Sequence, residues 1–85
     1  MAWTLRIAKR AEKELRKIPA KDRKRIATAL AAMRLDPFGG DIVRLENQPA
    51  SWRRRVGSYR IFFDLYPDQS LVDILRIARR TSTTY

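Results

Sequence analysis

The sequence predicts an α+β domain: an N-terminal strand, a helical hairpin, then a run of four strands, with the helices packed on one face of a mostly antiparallel sheet. Three observations lead there. Apolar residues recur at helical spacing between Ala8 and Leu35, the period of amphipathic helices. Beyond Pro37 they alternate with polar residues or form short β-rich blocks, punctuated by Gly, Pro, Asp and Ser. With 85 residues, 45% of them hydrophobic, the chain is a single domain, residues 1–85, around one small core.

Trp3-Thr4-Leu5-Arg6-Ile7 alternates apolar and polar side chains and is read as the first strand. Ala8, Ala11, Leu15 and Ile18 define a first helix, which Pro19 stops. A second helix runs from about Ala20 to Leu35, with Ile26, Ala27, Leu30 and Met33 on its apolar face. Asp22 falls in its first turn, where negative charge suits the helix dipole. Asp36-Pro37-Phe38-Gly39-Gly40 ends it, because a residue before proline is pushed out of the helical region. The short connection between the helices makes them a hairpin lying on the sheet. Ile42 to Leu45 is a short strand, and Glu46 to Ser51 a polar loop around Pro49. Trp52 to Val56 and Tyr59 to Tyr66 are strands joined by a tight turn at Gly57-Ser58. After a turn at Pro67-Asp68-Gln69-Ser70, Leu71 to Ala78 is apolar on both faces, as a central strand is. The tail, Thr81 to Tyr85, is polar except for its last ring.

Charge is the unusual quantity. Nineteen Lys and Arg against nine Asp and Glu leave a net charge of +10. There is no Cys and no His, so disulfides, thiol chemistry, thiolate metal sites and histidine acid–base work are all excluded. No cofactor and no metal is expected. Apolar runs such as Ala29 to Met33 are too short to span a bilayer, and the first residues lack the apolar core of a signal peptide. The expectation is a cytoplasmic protein with no membrane partner. All five Lys precede Met33, and every basic residue after it is Arg. Lys on the outer face of a helix mostly serves solvation, whereas Arg on a strand offers a planar fork for phosphate and a plane for stacking on bases. Composition thus points to a polyanionic partner: nucleic acid, an acidic protein, or both.

Strand alternation sorts the arginines. Arg53 and Arg55 point to one face, and Trp52, Arg54 and Val56 to the other. Arg60 shares a face with Phe62, Asp64 and Tyr66, while Tyr59, Ile61, Phe63 and Leu65 face the core. Arg76, Ala78 and Arg80 share a face on the last strand, and Arg79 points away from Arg80. If the helices cover one side, four or five Arg gather on the other with only Asp64 and Asp73 as nearby carboxylates. Such a cluster is a site for an external anion. Trp3 is assigned to the core, as is Trp52, with stacking on a base as the alternative for Trp52. Arg34 and Arg44 are assigned to the surface.

The residue types limit the chemistry. A metal-dependent nuclease needs converging carboxylates, and Asp64, Asp68 and Asp73 are spread over two strands and a turn. A Ser nucleophile has no His beside it. What remains is metal-free cleavage of RNA, in which the 2′-hydroxyl attacks the adjacent phosphate. Arg supplies position and charge, and a Tyr hydroxyl can move a proton. Arg is a poor base because its pKa exceeds about 12, so the identity of the base stays open.

Trp52-Arg53-Arg54-Arg55-Val56-Gly57-Ser58-Tyr59-Arg60-Ile61-Phe62-Phe63 resembles the central signature of RelE/ParE-type toxins of bacterial and archaeal toxin–antitoxin pairs. Leu75 to Arg80 with a nearby Tyr85 is similar to that family's last strand, and Ala8 to Pro19 to its first helix. The resemblance spans essentially the whole chain. It implies one of two activities: RelE-like cleavage of mRNA in the ribosomal A site, or ParE-like inhibition of DNA gyrase without cutting RNA. Carried over position by position, the RelE catalytic set falls on Arg53, Arg55, Arg60, Arg80 and Tyr85, which favours a ribosome-dependent, metal-independent mRNA endoribonuclease. Arg stands at two positions where RelE carries Lys, and Arg54 occupies a slot that is commonly apolar. The resemblance also implies a cognate acidic antitoxin, docking around Ala8 to Leu35 and Ile42 to Leu45. Ribosome and mRNA are the implied targets, and operator DNA is bound only through the antitoxin complex.

Overall fold

The structure is a computed structural model that describes residues 2–79. Strand β1 (Thr4–Ile7) leads into helix α1 (Lys9–Arg16) and helix α2 (Ala20–Leu35). Strands β2 (Ile42–Arg44), β3 (Trp52–Val56), β4 (Tyr59–Tyr66) and β5 (Leu71–Arg79) follow, with a 3₁₀ turn at Pro67–Gln69. One five-stranded sheet results, in the order β1-β5-β4-β3-β2. Among the described residues only the β1–β5 pair is parallel. The two helices carry the chain from β1 across the sheet to β2 at the opposite edge, and the antiparallel run from β2 to β5 returns it beside β1. Among the described residues no helix is long and apolar enough to cross a membrane.

The core lies between the helices and one face of the sheet. Ala11 and Ile18 around α1, Ile26, Ala29, Leu30 and Met33 of α2, and Tyr59, Ile61, Phe63, Val72, Ile74 and Ile77 of the sheet are all buried in it. Ala27, expected on the apolar face of α2, is exposed, and Ala29 takes its place. The buried positions step by three and four residues, and Ala27 lies one step round the helix from Ile26. Backbone hydrogen bonds from Trp3 to the Arg34 carbonyl and from Ala8 to the Ile74 carbonyl tie β1 between α2 and β5. The β3–β4 turn places Gly57 at a φ of 59°, a conformation that a two-residue hairpin with glycine first demands.

Alternation along β5 breaks once. Phe62 pairs with Arg76 but Phe63 pairs with Ile74, so Leu75 is an extra residue, a bulge. The break lets Ile74 and Ile77, three residues apart, both face the core. The sequence predicts Leu71 to Ala78 to be apolar on both faces. Its outer side instead carries Asp73 and Arg76, paired across the sheet with Asp64 and Phe62.

Candidate functional site

The face of the sheet away from the helices is organised in cross-strand rows. Arg53, Phe62 and Arg76 form one row across β3, β4 and β5, and Arg55, Arg60 and Ala78 the next. Neighbours in such rows have their side chains about 5 Å apart at the Cβ atoms. The structure therefore brings Arg53, Arg55, Arg60 and Arg76 together on the face the alternation predicts, in a register that the strand pairing sets. Arg80 and Tyr85, the other two candidates, lie outside the described residues.

Their partners differ. Arg55 Nε lies 2.9 Å from Asp41 Oδ2, a pair half-exposed on both sides. Arg76 Nη2 donates to Glu14 Oε2 at 3.1 Å, reaching around the edge of the sheet to α1. Both carboxylates correct the expectation that only Asp64 and Asp73 are near. Asp41 is delivered by the turn before β2 and Glu14 by the helix flanking β5, and neither position follows from strand alternation. Arg53 and Arg60, both half-buried, have no salt bridge or side-chain hydrogen bond among the described residues.

Asp64 and Asp73 face one another across β4 and β5 rather than being scattered. Two like charges directly opposite destabilise a sheet unless each is compensated. Arg6 grips Asp73 with two hydrogen bonds, Nη2 to Oδ2 at 2.8 Å and Nε to Oδ1 at 3.2 Å. This hydrogen bond, followed by the attraction of the two charges, raises the Arg6 pKa above its ordinary value. Asp64 accepts the Ser51 backbone N–H at 2.7 Å. Asp73 is thus neutralised by Arg6 on the β1 side, and Asp64 is held by a backbone N–H at the start of β3. The part of the face around Arg53 and Arg60 keeps its positive charge. Among the described residues no three His, Cys, Asp or Glu side chains converge as metal ligands.

The helix-side residues have different work. Arg54 Nη1 donates to the Gly39 carbonyl at 3.2 Å, and its guanidinium lies so close to Gly40 that a Cβ there would sit 2.6 Å from Cζ. Arg in this slot tethers the loop after α2. Trp52 is half-buried on the helix side, edge-on to Phe38 at 6.2 Å, and Phe38 is edge-on to Trp3 at 6.0 Å. Trp52 therefore points away from the arginine face, in line with its assignment to the core, and exposed Arg44 caps its ring 5.8 Å from the centroid. Tyr59 is buried, and its hydroxyl donates to Asp22 Oδ2 at 3.3 Å. Burial first, and then the Asp22 charge, push its phenol pKa up. The residue that sequence reasoning left unassigned is Phe62. Its place on the Arg60 face was legible, but its position between Arg53 and Arg76 depends on strand register.

Such a face can hold the oxygens of a phosphate with Arg53 and Arg60 and offer Phe62 as a stacking surface, the pairing of charge and aromatic ring that suits single-stranded nucleic acid. The sequence matches the family described as ParE toxin of type II toxin–antitoxin system, parDE, over residues 5–83. The chain belongs to this family. The toxin sits within the RelE/ParE superfamily, and its fold is that of solved RelE structures. It superposes on a chain of the archaeal RelE–RelB complex from Pyrococcus horikoshii OT3 with a TM-score of 0.84 and 22% identity, covering 98% of this chain and 100% of that one. For the RelBE2 toxin–antitoxin complex from Mycobacterium tuberculosis the TM-score is 0.83 at 21% identity, covering 94% and 100%. For the isolated E. coli RelE toxin it is 0.80 at 19% identity, covering 96% and 88%. No curated protein sequence matches the toxin significantly.

Proposed function

We propose that this type II toxin is a metal-independent endoribonuclease that cleaves mRNA on the ribosome and so inhibits translation. The observation that carries the reading is the pair Arg53 and Arg60, half-buried on the open face with no carboxylate of their own among the described residues. In the reaction the 2′-hydroxyl loses its proton and its oxygen bonds to the adjacent phosphorus. The bond from phosphorus to the 5′-oxygen breaks, and that oxygen takes up a proton. The products are a 2′,3′-cyclic phosphate and a free 5′-hydroxyl. Arg53 and Arg60 hold the non-bridging oxygens and offset the charge that grows on them. Arg55 joins them by exchanging Asp41 for phosphate. Arg80 anchors the scissile phosphate, and Tyr85 stacks on a base or moves one of the protons.

The partners follow from charge and kinship. A +10 toxin calls for an acidic antitoxin that folds as it wraps the surface. The superposed complexes pair RelE with RelB. Operator DNA is reached through that complex, and the ribosome and mRNA are the targets of the free toxin.

The family match itself favours a second reading, inhibition of DNA gyrase. Two assays separate them. Adding the protein to a translating extract should cut mRNA within codons and leave supercoiling by purified gyrase unaffected. Inhibited gyrase with intact mRNA would establish the second reading. Tyr85→Phe should lower cleavage by a factor on the order of 10² if the hydroxyl moves a proton, and near-normal cleavage would confine the ring to stacking.

A further inference from the structure

We infer that the arginine face carries a nucleobase pocket at Phe62, built by the β2–β3 loop and the β5 bulge, which selects a base next to the phosphate held by Arg53 and Arg60. The inference deepens the RNA-cleavage reading and rests on it.

A cavity of about 130 Å³ opens on this face, lined by Gln48, Pro49, Ala50, Phe62, Leu75 and Arg76. Three features suit it to a flat heterocycle. Its walls are mainly apolar, with one aromatic ring, and a base–aromatic stack is favourable whichever base is present. Its polar groups are few and of the kind that read base edges: the Gln48 amide both donates and accepts, and the Arg76 guanidinium donates. Its place is one strand from Arg53 and next to Arg60, so a nucleotide phosphate and its base reach both sites at once.

The pocket is also pre-organised. The bulge presents two residues, Leu75 and Arg76, opposite Phe62, where a regular strand would present one. Glu14 holds Arg76 by Nη2, and Glu14 Oε1 is fixed in turn by the Ile77 backbone N–H at 2.9 Å. Arg76 Nε, buried, has no acceptor among the described residues. A base reaching the half-exposed guanidinium is read instead by the N–H groups that Glu14 leaves unused on its terminal nitrogens.

The test is binding of short single-stranded oligoribonucleotides of A, C, G or U, together with one carrying an abasic residue, at several salt concentrations. The wild-type protein should prefer one base or one ring size. Phe62→Leu, which keeps apolar volume but removes the ring, should weaken the preferred oligonucleotide by about tenfold or more. It should leave the abasic one and the salt dependence unchanged, since no phosphate contact is lost. Gln48→Ala, in an exposed loop, should blur the base preference without touching the fold, and it keeps the test decisive if Phe62→Leu unfolds. Equal binding of all oligonucleotides by the wild type, or an unchanged preference in both variants, would overturn the pocket. So would variants that weaken only the antitoxin complex. If the variants lose base preference while the wild type leaves mRNA intact on ribosomes, the pocket stands and the cleavage reading falls. If both variants cut mRNA at unchanged sites, the cleavage reading stands and the pocket falls.

Discussion

Glu14 donates nothing and accepts twice: its Oε2 takes Arg76 Nη2 at 3.1 Å while its Oε1 takes the backbone N–H of Ile77 at 2.9 Å. Strand β1 ends at Ile7, opposite Ile74, so β5 beyond that point has no strand on this side. One carboxylate from α1 replaces the missing neighbour and fixes the arginine that faces Phe62. The edge of the fold and the candidate site therefore share a residue.

Glu14→Ala should cost about 1–3 kcal/mol in urea unfolding, because it strands a part-buried donor. Glu14→Gln keeps an acceptor for Ile77 and should cost clearly less. Both should release Arg76, seen as a loss of base preference in oligonucleotide binding. Equal stability of the two variants would mean that the backbone contact carries little.

Arg53→Ala and Arg60→Ala should each leave stability within about 0.5 kcal/mol, as substitutions with no partner to break. Each should lower RNA affinity and flatten its salt dependence by about one counterion. Arg54→Ala is the contrasting control. It loosens the Gly39 loop and should lower the unfolding midpoint without changing the salt slope.

Gly40 has a φ of 81° and packs against the Arg54 guanidinium. Gly40→Ala should cost about 1–3 kcal/mol from backbone strain, more if Arg54 is pushed off the Gly39 carbonyl. Adding Arg54→Met removes the collision but not the strain. The double variant should thus be more stable than the sum of the two single losses. Strict additivity in denaturant melts would contradict the contact.

Tyr59 sets an alkaline limit. Its folded pKa is raised above the ordinary 10.0, so the unfolded chain releases this proton first as pH rises. The contribution is fully present below pH 10 and is lost as pH climbs through the folded value. Unfolding midpoints should fall above about pH 10, and Tyr59→Phe should flatten that fall. A variant profile identical to wild type would remove Tyr59 as the cause.

The sequence by itself determined the element order, the limits of α2, β3 and β4, and the side of the sheet on which Arg53, Arg55 and Arg60 stand. These are local properties: periods of 3.6 and 2, proline and glycine breaks, and the alternation of a regular strand. Tertiary structure decided what those arginines meet. Asp41 and Glu14 reach them from a turn and a helix, and only the packed fold brings Asp64 and Asp73 face to face. The bulge at Leu75 left a trace, since Ile74 and Ile77 are three apart where alternation allows two or four. Its consequence did not: placing Phe62 between Arg53 and Arg76 depends on register between strands that are distant in sequence. Local sequence sets which way a side chain points, whereas the pairing of strands sets its neighbours, and a binding site is made of neighbours.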